Sequence, residues 1–253
     1  MVIDYDFATA ALIMAVFLLA GLVKGVVGLG LPPVVLGVLT ALIGIHQAMA
    51  LVALPAFLTN VVQAFSGREG RQLCRNHWQF FLAATLAIAA GLTLALILNS
   101  HLMALVLGGL LATYALTGLL KFQLSVQPQW QPGYGVAMGT LNGVFTGLTG
   151  SSAVPGVFYL QSVGLSRDQL IQAMGILFTL SSVGLSLGLI LQGVLTVSAG
   201  SLSVAALVPA FAGMAIGSRI RQRISVGLFQ RIFFCSLLLL GTYIIFMNLG
   251  RIP

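Results

Sequence analysis

Charge is scarce in this chain. Only 6% of its 253 residues are Asp, Glu, Lys or Arg, whereas a soluble domain carries about a quarter. With 4 acidic and 11 basic side chains, the chain cannot cover a water-facing surface around a core of this size. Cysteine is nearly absent too. Cys74 and Cys235 provide neither a disulfide framework nor a metal-ligand pair, and both read as inert thiols. No P-loop run occurs, which removes nucleotide hydrolysis as an energy source. The basic excess forms no stripe interleaved with aromatics, so the pattern speaks against a nucleic-acid partner. Asp4 and Asp6 stand where a signal peptide needs cations, and the first apolar segment is expected to stay in the mature protein.

Apolar sequence is what the chain has instead: 59% hydrophobic residues and a mean hydropathy of +1.09. Cut at charges and turn residues, it yields apolar segments at 7–27, 31–45, 48–65, 78–98, 102–120, 134–149, 151–163, 169–191, 201–217 and 226–249. A span needs roughly 20 apolar residues, so most of these are long enough to cross a bilayer and a few are not. Lipid is therefore the expected surrounding, and Trp78 and Trp130 read as interfacial anchors.

Lys and Arg in short loops favour the cytoplasm. Arg68, Arg71 and Arg75, then Lys121, then Arg219, Arg221 and Arg223 all belong inside by this rule. If 134–163 were one crossing, the last cluster would fall outside. Two short helices entering and leaving on one side restore the parity and also put Arg167 inside. The same reading turns 7–45 into a hairpin from the outer side. Both termini are then periplasmic, with Arg251 a lone dissenting charge. The expected architecture is an all-α integral membrane bundle of two inverted-topology repeats, 1–125 and 126–253, each a broken helix hairpin followed by three transmembrane helices.

The repeat has its own signature. Gly21, Lys24, Gly25, Gly28 and Gly30 in the first half correspond to Gly139, Asn142, Gly143, Gly147 and Gly150 in the second, with two inserted residues. Close helix packing accounts for the glycines at i and i+4. It does not account for the runs Gly28, Gly30, Pro32, Pro33 and Thr149, Gly150, Ser151, Ser152, Pro155, where one helix should end and another begin. Backbone broken at membrane depth must be buried in protein or line a watery cavity. Pro32 or Pro33 suits the first turn of a new helix, and a hydroxyl of Ser151 or Ser152 suits a cap. The two new N-termini are expected to face the middle of the protein from opposite sides, an arrangement that favours anions.

Lys24 is the only charged residue near the core of an apolar segment, and such a charge costs at least about 2.5 kcal/mol unless it is paired or wetted. It reads either as a site cation awaiting an anion or as a lysine that snorkels to the surface. Pro55, Thr59, Asn60 and Gln63 fall on one face of the third segment, with Gln172, Thr179, Ser181 and Ser182 as counterparts in the second half. They read as cavity lining or as interhelical hydrogen bonds. His46, His77 and His101 stand at segment ends, where a wetted surface histidine is the default.

The run through Gly21, Lys24, Gly25, Gly28 and Gly30, its degenerate copy, the Thr59, Asn60, Gln63 stretch and the chain length together resemble the TauE/SafE sulfite exporter family. Nearly the whole chain takes part. Ser151 and Ser152 depart from the family pattern, in which further glycines are common there. The resemblance implies a bacterial inner-membrane transporter for sulfite, organosulfonates or related small anions. The expected activity is secondary transport, most simply export, with no enzymatic step, cofactor or metal. Substrate-site candidates are Lys24, Gly28, Gly30, Pro32, Thr59, Asn60, Gln63, Asn142, Thr149, Gly150, Ser151, Ser152, Thr179 and Ser182. A coupling ion and an oligomer stay open, as do a passive anion channel and a non-transporting subunit. An intramembrane hydrolase using Ser151 is the remaining alternative, and it lacks a nearby base.

Overall fold

The computed structural model describes residues 6–121, 124–193, 197–221, 223 and 225–250, and within them every regular element is helical. Asp4 and Arg251 lie outside the described residues. The first half contains α1 (Phe7–Val27), α2 (Leu31–Ile43), α3 (Ile45–Ala64), α4 (Gly70–Asn76), α5 (Trp78–Ile97) and α6 (Ser100–Leu119). A 3₁₀ turn, Pro128–Trp130, leads into α7 (Gln131–Thr149), α8 (Gly156–Ser162), α9 (Arg167–Leu191), α10 (Val197–Ala205), α11 (Leu207–Ile220) and α12 (Val226–Leu249). Among the described residues seven stretches are long and apolar enough to cross a membrane: α1, α3, α5, α6, α9, residues 201–220 and residues 227–249. The fold is a polytopic helical membrane bundle.

Several expected boundaries shift for local reasons. Segment 201–217 divides at Ala206 into α10 and α11. The basic loop contains a helix, α4, too short and too polar for an apolar-run reading to detect. Neither broken hairpin has two equal arms. α1 and α7 have 21 and 19 residues, close to a full span at about 1.5 Å per residue. The returning arms, α2 and α8, have 13 and 7.

Packing follows the glycines. A methyl on Gly21 would lie 2.1 Å from the Ala210 carbonyl oxygen, and one on Gly213 equally close to that of Leu18. α1 and α11 thus run parallel with backbones touching. α5 and α7 do the same, because methyls on Gly139 and Gly143 would meet the carbonyl oxygens of Phe80 and Ala84 at 2.5 and 2.3 Å. α3 lies antiparallel to α9, with Gly175 against Ala64, and α6 lies antiparallel to α12, with His101 bonded to Asn248. Without a hydrophobic force between helices in lipid, such small-residue contacts are what close dispersion packing requires.

These directions fix the two ends of the bundle. The turn after α3 bonds to the start of α9, through Gln172 to the Glu69 amide and Gln169 to the Glu69 carboxylate. Val27, Lys121 and Arg167 line one cavity, and α11 runs parallel to α1 toward that same end. Arg68, Arg71, Arg75, Lys121, Arg167, Arg219, Arg221 and Arg223 consequently share one face.

Candidate functional site

α1 ends where Gly28 adopts φ +84°, a left-handed cap whose N–H donates to the Lys24 carbonyl. Gly30, at φ +114°, turns the chain into α2, and both angles favour glycine because a Cβ would strain them. Pro32 and Pro33 occupy the first turn of α2 as expected. They also remove two N–H groups, and the Val34 amide is already bonded to the Gly30 carbonyl. This helix start therefore offers few amide donors to an anion, fewer than its broken sequence promised.

In the second half α7 ends at Gly150, φ +76°. α8 starts at Gly156 without a serine cap. The Asn142 carboxamide oxygen accepts from the Gly156 amide at 2.9 Å instead, and the Ser151 amide donates to the Thr149 hydroxyl at 3.2 Å. The capping role expected of Ser151 or Ser152 thus belongs to Asn142, one helix away. Sequence could not place Asn142 beside Gly156, since 14 residues and a chain reversal separate them.

The two breaks overlap rather than meet end to end. Gly30, Pro32, Pro33, Ser152, Ala153 and Tyr114 line a cavity of about 10 Å³, about one water in size. Gly150 lies beyond it, against Leu36 and Met49 of the first half. The space between the tips holds no more than about one water.

Lys24 does not snorkel. It is 5% exposed, and its ammonium donates to Thr59 Oγ1 at 3.1 Å and to Asn60 Oδ1. Thr59 passes its own proton to the Pro55 carbonyl at 2.7 Å, so its oxygen has a lone pair for the lysine. Both partners are neutral, and Asp6, Glu69 and Asp168 are exposed. The side-chain nitrogens of Asn60 and Asn142 and the Gln63 Oε1 are buried without a hydrogen-bond partner among the described residues. Unsatisfied buried groups cost about 1–3 kcal/mol each, so each of these calls for an explanation.

The remaining candidates scatter. The Gln63 amide donates to the Ile171 carbonyl at 3.0 Å and joins α3 to α9. Gln172 clamps the end of α3 through the carbonyls of Ala64 and Gly67. The hydroxyls of Thr149 and Thr179 bond back to their own helices, at Phe145 and Gly175. Ser182 is buried on α9. Pro55 leaves the Leu51 carbonyl without its helical donor, and the Ser203 hydroxyl of α10 supplies one at 2.9 Å, a role the sequence did not disclose. His77 is also not the wetted histidine its position suggested: it is 8% exposed, with Nδ1 3.0 Å from the Tyr159 hydroxyl. Burial holds its imidazole below the ordinary histidine pKa.

A family model described as sulfite exporter TauE/SafE matches residues 13–244. No curated protein and no solved structure matches the chain.

Proposed function

The chain belongs to the sulfite exporter TauE/SafE family, whose model covers 13–244 and makes it a multi-pass membrane transporter, and we propose that it is a secondary exporter of a small oxyanion such as sulfite or an organosulfonate. The observation that carries this reading is the Lys24 ammonium, buried in a membrane helix and held, among the described residues, by the neutral oxygens of Thr59 and Asn60. A cation in that position is costly unless an opposite charge completes it. A small anion does so without a permanent carboxylate that would compete with it, and the Asn60 side-chain N–H groups add donors beside the lysine.

The two halves act as inverted repeats. This reading is supported by the exchange of partners between them: α1 with α11 and α7 with α5 run parallel, while α3 with α9 and α6 with α12 run antiparallel. A two-fold axis in the membrane plane relates each pair to its counterpart. Gly28, Gly30, Pro32, Thr149, Gly150, Ser151 and Ser152 then form a gate that parts as one hairpin set rocks. A gate closed to about one water fits a carrier better than an open pore. The membrane is the bacterial inner membrane, with the basic face cytoplasmic.

Flux of labelled sulfite and sulfoacetate into proteoliposomes tests the reading. Lys24→Ala and Lys24→Gln should each reduce it at least about tenfold, the loss expected when about 1.4 kcal/mol of anion binding disappears. Lys24→Arg, which keeps the charge, should retain part of it. Flux unaffected by Lys24→Ala would overturn the proposal.

A further inference from the structure

Two further cavities open on opposite ends of the bundle, each built from the same kinds of helix end. One, of about 210 Å³, is lined at the ends of α2, α6 and α12 by Thr40, Ser100, His101, Tyr243 and Asn248. The other, of about 360 Å³, is lined at the ends of α6, α8, α9 and α12 by Thr117, Lys121, Gln161, Arg167 and Gln230. Among the described residues the lining of the first has no permanent charge. The second contains two cations and no acid, and it shares Leu29 and Tyr114 with the closed cavity between the breaks.

Both cations sit where local rules disfavour them. Lys121 has φ +51°, the one described non-glycine residue in the left-handed region, a conformation that normally calls for glycine or asparagine after a helix. Arg167 is the first residue of α9, after the Ser166 cap, where the helix dipole is positive and repels it. Asp168 favours that helix end but does not line the cavity. Two like charges facing one cavity also repel each other. Three unfavourable choices converge on one chamber, and a bound anion relieves two of them, the dipole and the mutual repulsion.

We infer that this cavity is a loading vestibule: a second oxyanion site, held by Lys121 and Arg167 with Gln161 and Gln230 as neutral donors, that captures substrate at the basic face before the gate. It rests on the transporter reading above. Among the described residues the opposite vestibule has no fixed cation in its lining, so an oxyanion is gathered on the basic side. Charged clefts with low-dielectric walls raise local ion concentration and on-rates in this way. The same chemistry fits a lipid phosphate at the headgroup level, so the experiment must separate the two sources.

Sulfite uptake is to be measured in inside-out and right-side-out membrane vesicles containing wild type, Lys121→Gln, Arg167→Gln and the double variant, each checked for an intact melting transition. The vestibule predicts that the double variant raises KM from the basic face at least about threefold and flattens its dependence on ionic strength, with a smaller change from the other face. Lys121→Arg should keep most of the wild-type behaviour. Equal KM shifts from both faces, or none, while wild type transports normally, would overturn it. The assay is repeated in proteoliposomes of pure phosphatidylcholine. A double-variant defect that vanishes there, and appears only with anionic lipid, assigns the site to lipid phosphate and also overturns it. Failure of the transporter reading looks different: no wild-type flux of sulfite or sulfonate from either face.

Discussion

The sequence aligns Lys24 with Asn142, and the two side chains do opposite things. The lysine donates outward from α1 to Thr59 and Asn60 on α3. The asparagine accepts from the Gly156 amide and holds the start of α8. Asn142→Ala should therefore act first on stability, leaving a buried amide unpaired at a cost of about 1–3 kcal/mol, visible as a lower melting temperature in detergent. His77 gives a pH test. Its folded pKa is depressed from 6.5 by burial, so at mildly acidic pH the unfolded chain binds more protons than the folded one. Stability should be full above about pH 7 and fall as pH drops through the unfolded value near 6.5. A melting series should show that slope in wild type and lose it in His77→Gln, and an identical slope in the variant would exclude His77 as its source.

At the scale of elements, helix breaks are matched by donors from other helices. Pro55 removes one backbone donor inside the continuous α3, and Ser203 of α10 bonds to the carbonyl it leaves open. Ser203→Ala should cost about 1 kcal/mol alone. In the Pro55→Ala background, where a backbone N–H again reaches the Leu51 carbonyl, it should cost less. A double-mutant cycle of melting temperatures reads that coupling. The parallel pairs are less forgiving. Gly213→Val places a Cβ 2.1 Å from the Leu18 carbonyl oxygen, and it must push α1 and α11 apart. The expected outcome is a loss of more than about 3 kcal/mol or failure to accumulate in the membrane, measured as folded yield on size exclusion.

For the whole molecule the consequence is sidedness. Arg71, Lys121 and Arg219 belong to one face, and Ser100 and Asn99 to the other. In a background with Cys74 and Cys235 replaced, single cysteines at the first three positions should all resist an impermeant maleimide in intact cells and react in inside-out vesicles. A cysteine at Ser100 should do the reverse. Labelling of Arg219→Cys from the outside would overturn the proposed inverted arrangement, because α1 and α11 could then not both be parallel and share the basic face.

Composition dictated the membrane, since 6% charged residues leave no other solvent for so apolar a chain, and apolar runs of spanning length dictated the helical class. The basic clusters and the glycine and proline runs also located both breaks: α1 ends at Val27 and α7 at Thr149, where the left-handed glycines follow. These are local properties, written in the residues that express them. What the chain does with the breaks was decided by contacts between residues far apart in sequence. Asn142 rather than Ser151 or Ser152 caps α8, Lys24 turns to α3 instead of to the surface, the prolines of α2 consume the donors its N-terminus would offer, and Lys121 and Arg167 come to line one chamber from different halves. Hydrogen bonds and charge repulsion act over a few ångströms, and only the packed bundle determines which groups are that close.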